Sequence, residues 1–207
     1  MRFPVTTGII LAGGAGHRLG YPKSLQKINE QSMIERVAIR ISSVSDTLLI
    51  ITNREQFNAI SNLGLKAKIV VDCSPGQGPL IGIYTGLSIS NTFYNLIVGC
   101  DMPTLNVYLL RHFIKSAPGY DAVVPVLKNK TEPLHSIYSK NCIAHIKQLI
   151  DQGIRSVSPL FSMVNTRYIC EDEIDAFDPH YLSFFNVNTR RDKIKAEAII
   201  KQLDRGA

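Results

Sequence analysis

The sequence predicts an α/β fold in which a doubly wound, mainly parallel sheet is flanked by helices. Three observations predict it. Short apolar, strand-like runs recur along the chain, helix-period segments lie between them, and the residues richest in chemistry follow the ends of the runs. At 207 residues the chain is expected to form a single large domain, 1–207, with an ample core.

The first run, Val5–Leu11, breaks at once into a glycine-rich turn. Ser32 is a candidate N-cap, and Glu35 three residues later completes a capping box ahead of Val37, Ile39 and Ile41. Thr47–Ile51 and Ala67–Val71 are the next strands, with a helix over Glu55–Leu63 between them. Pro79 opens a helix that runs to Ser90, since the first helical position has no use for an N–H. Strand Tyr94–Gly99, helix Leu105–Lys115 and strand Asp121–Pro125 continue the alternation. Residues 128–178 are less regular and richer in Pro, Asp and Glu, and read as an extension of the same domain rather than a separate module. Helices are expected over Lys140–Gln152 and Thr189–Leu203.

Composition narrows the possible functions. No apolar run approaches the roughly 18 residues that suggest a membrane span, and the chain enters its first strand without a signal-peptide core, so a cytoplasmic protein is expected. Cys73, Cys100, Cys142 and Cys170 form no C-x-x-C pair, which disfavours zinc and a disulfide framework and favours reduced thiols. The net charge of +6 is scattered, with no block of five like charges. That pattern suits compact anions better than a nucleic-acid track, and no membrane partner is expected.

Two motifs carry the chemistry. In Gly8–Lys23 an apolar strand ends in Ala12–Gly13–Gly14–Ala15–Gly16 and then supplies two cations, Arg18 and Lys23. Glycines there let backbone N–H groups approach phosphates closely. The spacing is not that of a dinucleotide fingerprint, because the third glycine would fall on Leu19. It is not a P-loop either, because Pro22 precedes Lys23–Ser24 and has no N–H to offer. In Val98–Gly99–Cys100–Asp101–Met102–Pro103 a second strand ends on a carboxylate, where hard oxygen can hold Mg2+ beside a triphosphate. Arg18 can grip a phosphate bidentately and Lys23 acts as a movable point charge. The plain alternatives are surface charge after a turn for the cations and a cap for Asp101. A third anchor, Asp72 to Gly82, places three glycines within seven residues and allows another close approach to ligand.

The first motif resembles the L-A-G-G-x-G-x-R-x-G-x-x-K signature of nucleotidyltransferases, and its Ala12–Gly13–Gly14 form is similar to that of the molybdenum-cofactor guanylyltransferases. The Cys100–Asp101–Met102–Pro103 element and the Gly78–Pro79–Leu80–Ile81–Gly82 loop resemble theirs as well. The resemblance implies a Rossmann-like nucleotidyltransferase fold with a nucleotide half at about 1–125 and an acceptor-facing half at about 126–207. It implies transfer of GMP from GTP to the terminal phosphate of molybdopterin, with or without molybdenum, and release of pyrophosphate. Leu11, Ala12, Gly13, Gly14, Lys23, Asn53, Asp72, Gly78 and Asp101 are then the expected GTP contacts. Arg18, Lys23 and Asp101 are the catalytic set, and Asp101 is the Mg2+ ligand. Phe185–Asn186–Val187–Asn188–Thr189 resembles the family's Asn-x-Asn-Thr element. Alternation along a strand would put Asn186 and Asn188 on one face toward the acceptor, whereas Thr189 suits an N-cap. His135 is either catalytic or a buried structural histidine, and phosphate nucleophiles need no general base. Recipient molybdoenzymes or cofactor-chaperone proteins are the implied partners, and a monomer or weak homo-oligomer is expected. The rivals are a same-fold enzyme using CTP with molybdopterin or another triphosphate with a sugar phosphate, and a catalytically silent nucleotide-binding module.

Overall fold

The computed structural model describes residues 3–14, 22–72 and 77–205. Strand β1 (Thr6–Leu11) is central. It pairs in parallel with β4 (Thr47–Thr52) on one side and β6 (Tyr94–Gly99) on the other, and β5 (Lys68–Val71) extends the sheet beyond β4. On the far side of β6 lie β9 (His135–Ser139), β7 (Ala122–Leu127) and β10 (Thr166–Ile169), which gives the order β10-β7-β9-β6-β1-β4-β5. The chain leaves β1 toward β5 and returns to β6, so the order reverses between β1 and β6. Open α/β sheets place their ligand crevice at such a point, outside the strands' carboxyl ends.

β9 interrupts the parallel pattern and runs antiparallel to both β6 and β7. Its direction has a local cause. β7 turns back at once through Lys128 and Asn129, both left-handed at φ 49° and 60°, into the two-residue β8 (Lys130–Thr131). Two consecutive positive φ values make a hairpin-type turn, and a strand that returns without a crossover helix lies antiparallel.

Helices cover both faces. Neighbouring residues of β1 divide between them: Ile10 packs with α1 (Met33–Ser42) and α4 (Val107–Ser116), and Ile9 with α3 (Pro79–Ile89) and α5 (Cys142–Asp151). The capping box of α1 forms as expected, with Ser32 Oγ accepting from Glu35 N and the Glu35 carboxylate accepting from Ser32 N. Ile34, Val37, Ala38 and Ile41 face the core, whereas Ile39 lies on the outer side at 54% exposure. The spacing explains this, because Ile39 is two residues from both Val37 and Ile41 and so falls off their stripe. α3 presses close to the sheet, and a Cβ on Gly86 would fall 2.9 Å from Ile9 Cγ2.

The boundaries shift where caps decide them. α4 begins two residues later than the periodicity suggests, because Asn106 accepts from the amides of Tyr108 and Leu109. α2 (Arg54–Ser61) starts after Asn53, and α7 (Arg190–Arg205) after Thr189. The irregular region contains β10 and the short α6 (Glu171–Asp175), and a small hairpin of β2 (Lys27–Ile28) and β3 (Gln31–Ser32) precedes α1. Among the described residues, no helix is long and apolar enough to cross a membrane.

Candidate functional site

A cavity of about 410 Å³ lies at the carboxyl ends of β1, β4, β5 and β6, where the topology places a crevice. Its wall includes Leu11, Ala12, Gly13, Gly14, Lys23, Asp72, Gly78 and Asp101, eight of the residues singled out from the sequence. The strand ends are tied together by backbone bonds: Ala12 N donates to Ile51 O at 2.7 Å, Cys100 N to Leu11 O at 3.1 Å and Asp72 N to Thr52 O at 2.7 Å. The glycine turn, the Asp101 loop and Asp72 therefore share one rigid base.

At the β6 end the Asp101 carboxylate folds back over Gly99, and a Cβ there would sit 2.5 Å from Asp101 Oδ1. Its other oxygen, Oδ2, accepts from Lys23 Nζ at 2.6 Å. The same ammonium donates to Asn188 Oδ1, also at 2.6 Å. Val187 N donates to Asp101 O at 2.9 Å, which seats the 187–188 segment against the β6 loop. One cation thus joins the start, the middle and the end of the chain.

α3 presents its N-terminus to this cavity. Gly78 is its N-cap, at φ +94°, and contributes no side-chain cap to the first-turn amides. That leaves an electropositive helix end beside the cavity, the usual setting for anions. A Cβ on Gly78 would meet Arg155 O at 3.0 Å, so both conformation and space demand glycine. Asp72 is buried behind the helix and accepts from Thr85 Oγ1 at 3.2 Å.

Three expected residues sit differently. Asn53 does not line the cavity, and its Oδ1 accepts from Gln56 N at 2.9 Å as the N-cap of α2. Residues 185–188 form no strand, which corrects the alternation argument for Asn186 and Asn188. The segment is instead held by short turns and the Val187 bond. Asn186 Nδ2 donates to Phe184 O at 3.3 Å, and only Asn188 reaches Lys23. Thr189 is the expected cap: it accepts from Asp192 N, and the Asp192 carboxylate accepts from Thr189 N at 2.9 Å. Arg18 and Cys73 lie outside the described residues.

Sequence reasoning passed over Ser24 and Gln56, which line the cavity as a pair, with Ser24 Oγ donating to Gln56 Oε1 at 2.5 Å. Gln56 sits within a helix of otherwise ordinary composition, and only the fold turns it toward the crevice. Cys100 also lines the cavity, but burial, reinforced by the Asp101 charge and opposed by Lys23, pushes its thiol up to about 12. At neutral pH it is protonated and is no nucleophile. His135 is fully buried between Phe113 and Phe184, with ring centroids at 5.6 and 4.6 Å. Burial lowers its pKa to about 3, against a weak opposing influence of the Ser183 backbone, and neither ring nitrogen has a partner among the described residues. It is a neutral packing residue.

The donor set bears on a metal. Among the described residues no group of three His, Cys, Asp or Glu could hold an ion. Of the two carboxylates in the cavity wall, Asp72 is buried and accepts from Thr85, and Asp101 suits a hard cation that arrives with a phosphate ligand and fills its remaining positions with phosphate oxygens and water.

Comparison with known proteins places the chain among nucleotidyltransferases. Residues 8–164 match the MobA-like NTP transferase domain. The molybdenum cofactor guanylyltransferase of Desulfosudis oleivorans is 34% identical over 197 residues, covering 94% of this chain and 96% of that protein. A probable molybdenum cofactor guanylyltransferase of Pelotomaculum thermopropionicum is likewise 34% identical, over 93% and 92% of the two chains. The crystal structure of molybdopterin-guanine dinucleotide biosynthesis protein A from Archaeoglobus fulgidus superposes with a TM-score of 0.81 at 26% identity, covering 95% of this chain and 99% of that one. A 4-diphosphocytidyl-2C-methyl-D-erythritol synthase from Anaerococcus prevotii shares the fold alone, with a TM-score of 0.74 at 14% identity. With the family model matching residues 8–164 and relatives of 34% identity covered over most of their length, the chain belongs to the MobA-like NTP transferase family.

Proposed function

We propose that this protein transfers GMP from GTP to the terminal phosphate of molybdopterin, forming molybdopterin guanine dinucleotide and releasing pyrophosphate. The observation that carries the reading is Lys23, whose ammonium lies 2.6 Å from both Asp101 and Asn188 and so stands where the nucleotide and acceptor halves meet. The names of the relatives favour guanine and molybdopterin as the substrates.

In this reading an oxygen of the acceptor phosphate attacks the α-phosphorus of GTP. A new P–O–P bond forms, the α–β anhydride bond breaks, and pyrophosphate leaves in line with its negative charge. The nucleophile is already ionised near neutral pH, so no side chain has to remove a proton. The protein's work is alignment and charge. The backbone of Leu11–Gly14, with Asp72 and Gly78, holds the nucleotide. Lys23, with Arg18 of the same sequence motif, neutralises the triphosphate, and Asn188 with Asn186 borders the acceptor. Asp101 would hold a divalent cation, Mg2+ in our reading, which supplies charge neutralisation at the phosphates when bound. The halves divide near residue 125, with the acceptor facing residues 126–207.

The experiment mixes purified protein with GTP, Mg2+ and molybdopterin, and measures pyrophosphate together with the mass of the product. Dinucleotide and pyrophosphate should appear in equal amounts, and calorimetry should give tighter binding for GTP than for ATP or CTP. A preference for CTP would overturn the guanylyl assignment. The absence of pyrophosphate with every triphosphate would overturn the enzyme and leave a binding module.

A further inference from the structure

A second cavity, of about 390 Å³, opens at the same edge of the sheet beside the end of β7 and the start of β9. Tyr181, Phe184 and Phe185 contribute aromatic surface, and Glu132 contributes a carboxylate. It adjoins the nucleotide crevice along two short stretches of chain. Leu134, two residues beyond Glu132, lines the first cavity, and Val187, two residues beyond Phe185, donates to Asp101 O at 2.9 Å. Two residues span at most about 7 Å.

Glu132 is set apart by how it is held. Its backbone N donates to Pro125 O at 3.0 Å, and its carbonyl accepts from His135 N at 3.1 Å and from Ser136 Oγ at 2.7 Å. The main chain is fixed at both ends of the residue. The carboxylate, half-buried, forms no hydrogen bond or ion pair with any described residue. The cavity's other carboxylate differs, because Glu171 Oε1 accepts from Lys128 N at 2.6 Å. Burial raises the pKa of Glu132 while the nearby Lys130 charge opposes the rise, as for a carboxylate waiting for a donor. Phe184 is fixed from behind by the His135 ring, 4.6 Å away and tilted by 31°.

We propose that this second cavity receives the pterin ring of the acceptor, and that Glu132 determines specificity by accepting hydrogen bonds from the ring N–H and amino group of its amino-pyrimidinone edge. The proposal rests on the guanylyltransferase reading for the identity of the acceptor. The chemistry is complementary: a flat heteroaromatic ring against aromatic side chains, and two adjacent donors against two oxygens of one rigidly based carboxylate. The acceptor's phosphate would then extend along residues 185–188 toward Asp101.

The test uses 6-methylpterin and 6-methyllumazine, which differ in that lumazine carries an oxo group in place of the amino donor. In the wild type, the pterin should bind at least about tenfold more tightly than the lumazine, read by the fluorescence of the probes. In Glu132→Gln that preference should collapse and the molybdopterin KM should rise about tenfold, with kcat within twofold and GTP affinity unchanged. An unchanged KM and an unchanged preference would overturn the proposal. Glu132→Asp guards against a folding defect: the pterin preference should survive there with weaker binding, and its loss would also overturn the proposal. Probe binding needs no turnover. Glu132-dependent pterin binding without dinucleotide formation would therefore sink the reaction and leave the pocket standing, whereas dinucleotide formation by Glu132→Gln with an unchanged molybdopterin KM would sink the pocket alone.

Discussion

Asp101 illustrates how much a single side chain is asked to do here. One oxygen rests over Gly99, the other takes the Lys23 ammonium, and its carbonyl anchors Val187. Asp101→Ala should lower kcat by roughly 10²–10³-fold, the cost of removing a preorganised electrostatic group, with a melting temperature near that of the wild type. Asn53→Ala should do the reverse. It removes the cap of α2, costs about 1 kcal/mol in urea unfolding, and leaves calorimetric GTP affinity unchanged. The contrast shows what was legible at this scale. Asp101 stands out in the sequence because a charge that ends an apolar strand has few structural uses, and Lys23 because it closes a glycine-rich motif. Asn53 occupies a similar position, but its type serves equally well as a cap, and nothing in the one-dimensional sequence separates the two roles. Gln56 was invisible, because a polar residue inside a helix signals nothing until the helix is placed.

Among the elements, all the long helices were legible and most of the short elements were not. The five strands and six helices expected from the sequence all form, whereas the unexpected β2, β3 and β8 have two residues each, β10 has four and α6 has five. So few residues leave no repeat to detect. The antiparallel course of β9 was hidden for another reason: it is set by two left-handed residues, Lys128 and Asn129, neither of which is glycine. The start of α3 offers a sharp test of an element acting on the site. Gly78→Ala must place a side chain at φ +94° and within 3.0 Å of Arg155 O. Backbone strain of about 1–3 kcal/mol follows. We expect the melting temperature to fall by several degrees and GTP to bind more weakly, whereas the same change at Gly119, where a Cβ meets no atom within 4 Å, should leave GTP affinity intact.

At the scale of the whole molecule, the buried His135 links stability to pH. Its folded pKa of about 3 lies below the unfolded value near 6.5, so the unfolded chain binds more protons between those values. Stability is therefore complete above about pH 6.5 and is lost as pH falls toward 3. Its share of the loss between pH 7 and pH 5 is on the order of 2 kcal/mol. Urea unfolding at the two pH values measures it. His135→Phe, which keeps a ring between Phe113 and Phe184, should flatten that part of the profile, and an unchanged slope would assign the acid sensitivity to other groups.

The contact between Lys23 and Asn188 also has a meaning in time. The two residues are 165 positions apart, and Asp101 lies between them. On a ribosome adding about 5–20 residues per second, the lysine waits on the order of ten to thirty seconds for its amide partner. During that interval the glycine turn and β6 can already stand side by side, since both precede the midpoint of the chain. A nascent chain can thus acquire the β1 and β6 side of the cavity well before residues 185–188 have been translated. Under the proposed function, GTP present throughout synthesis would then act as a folding ligand, stabilising the first half of the sheet by mass action while the second half is still being made.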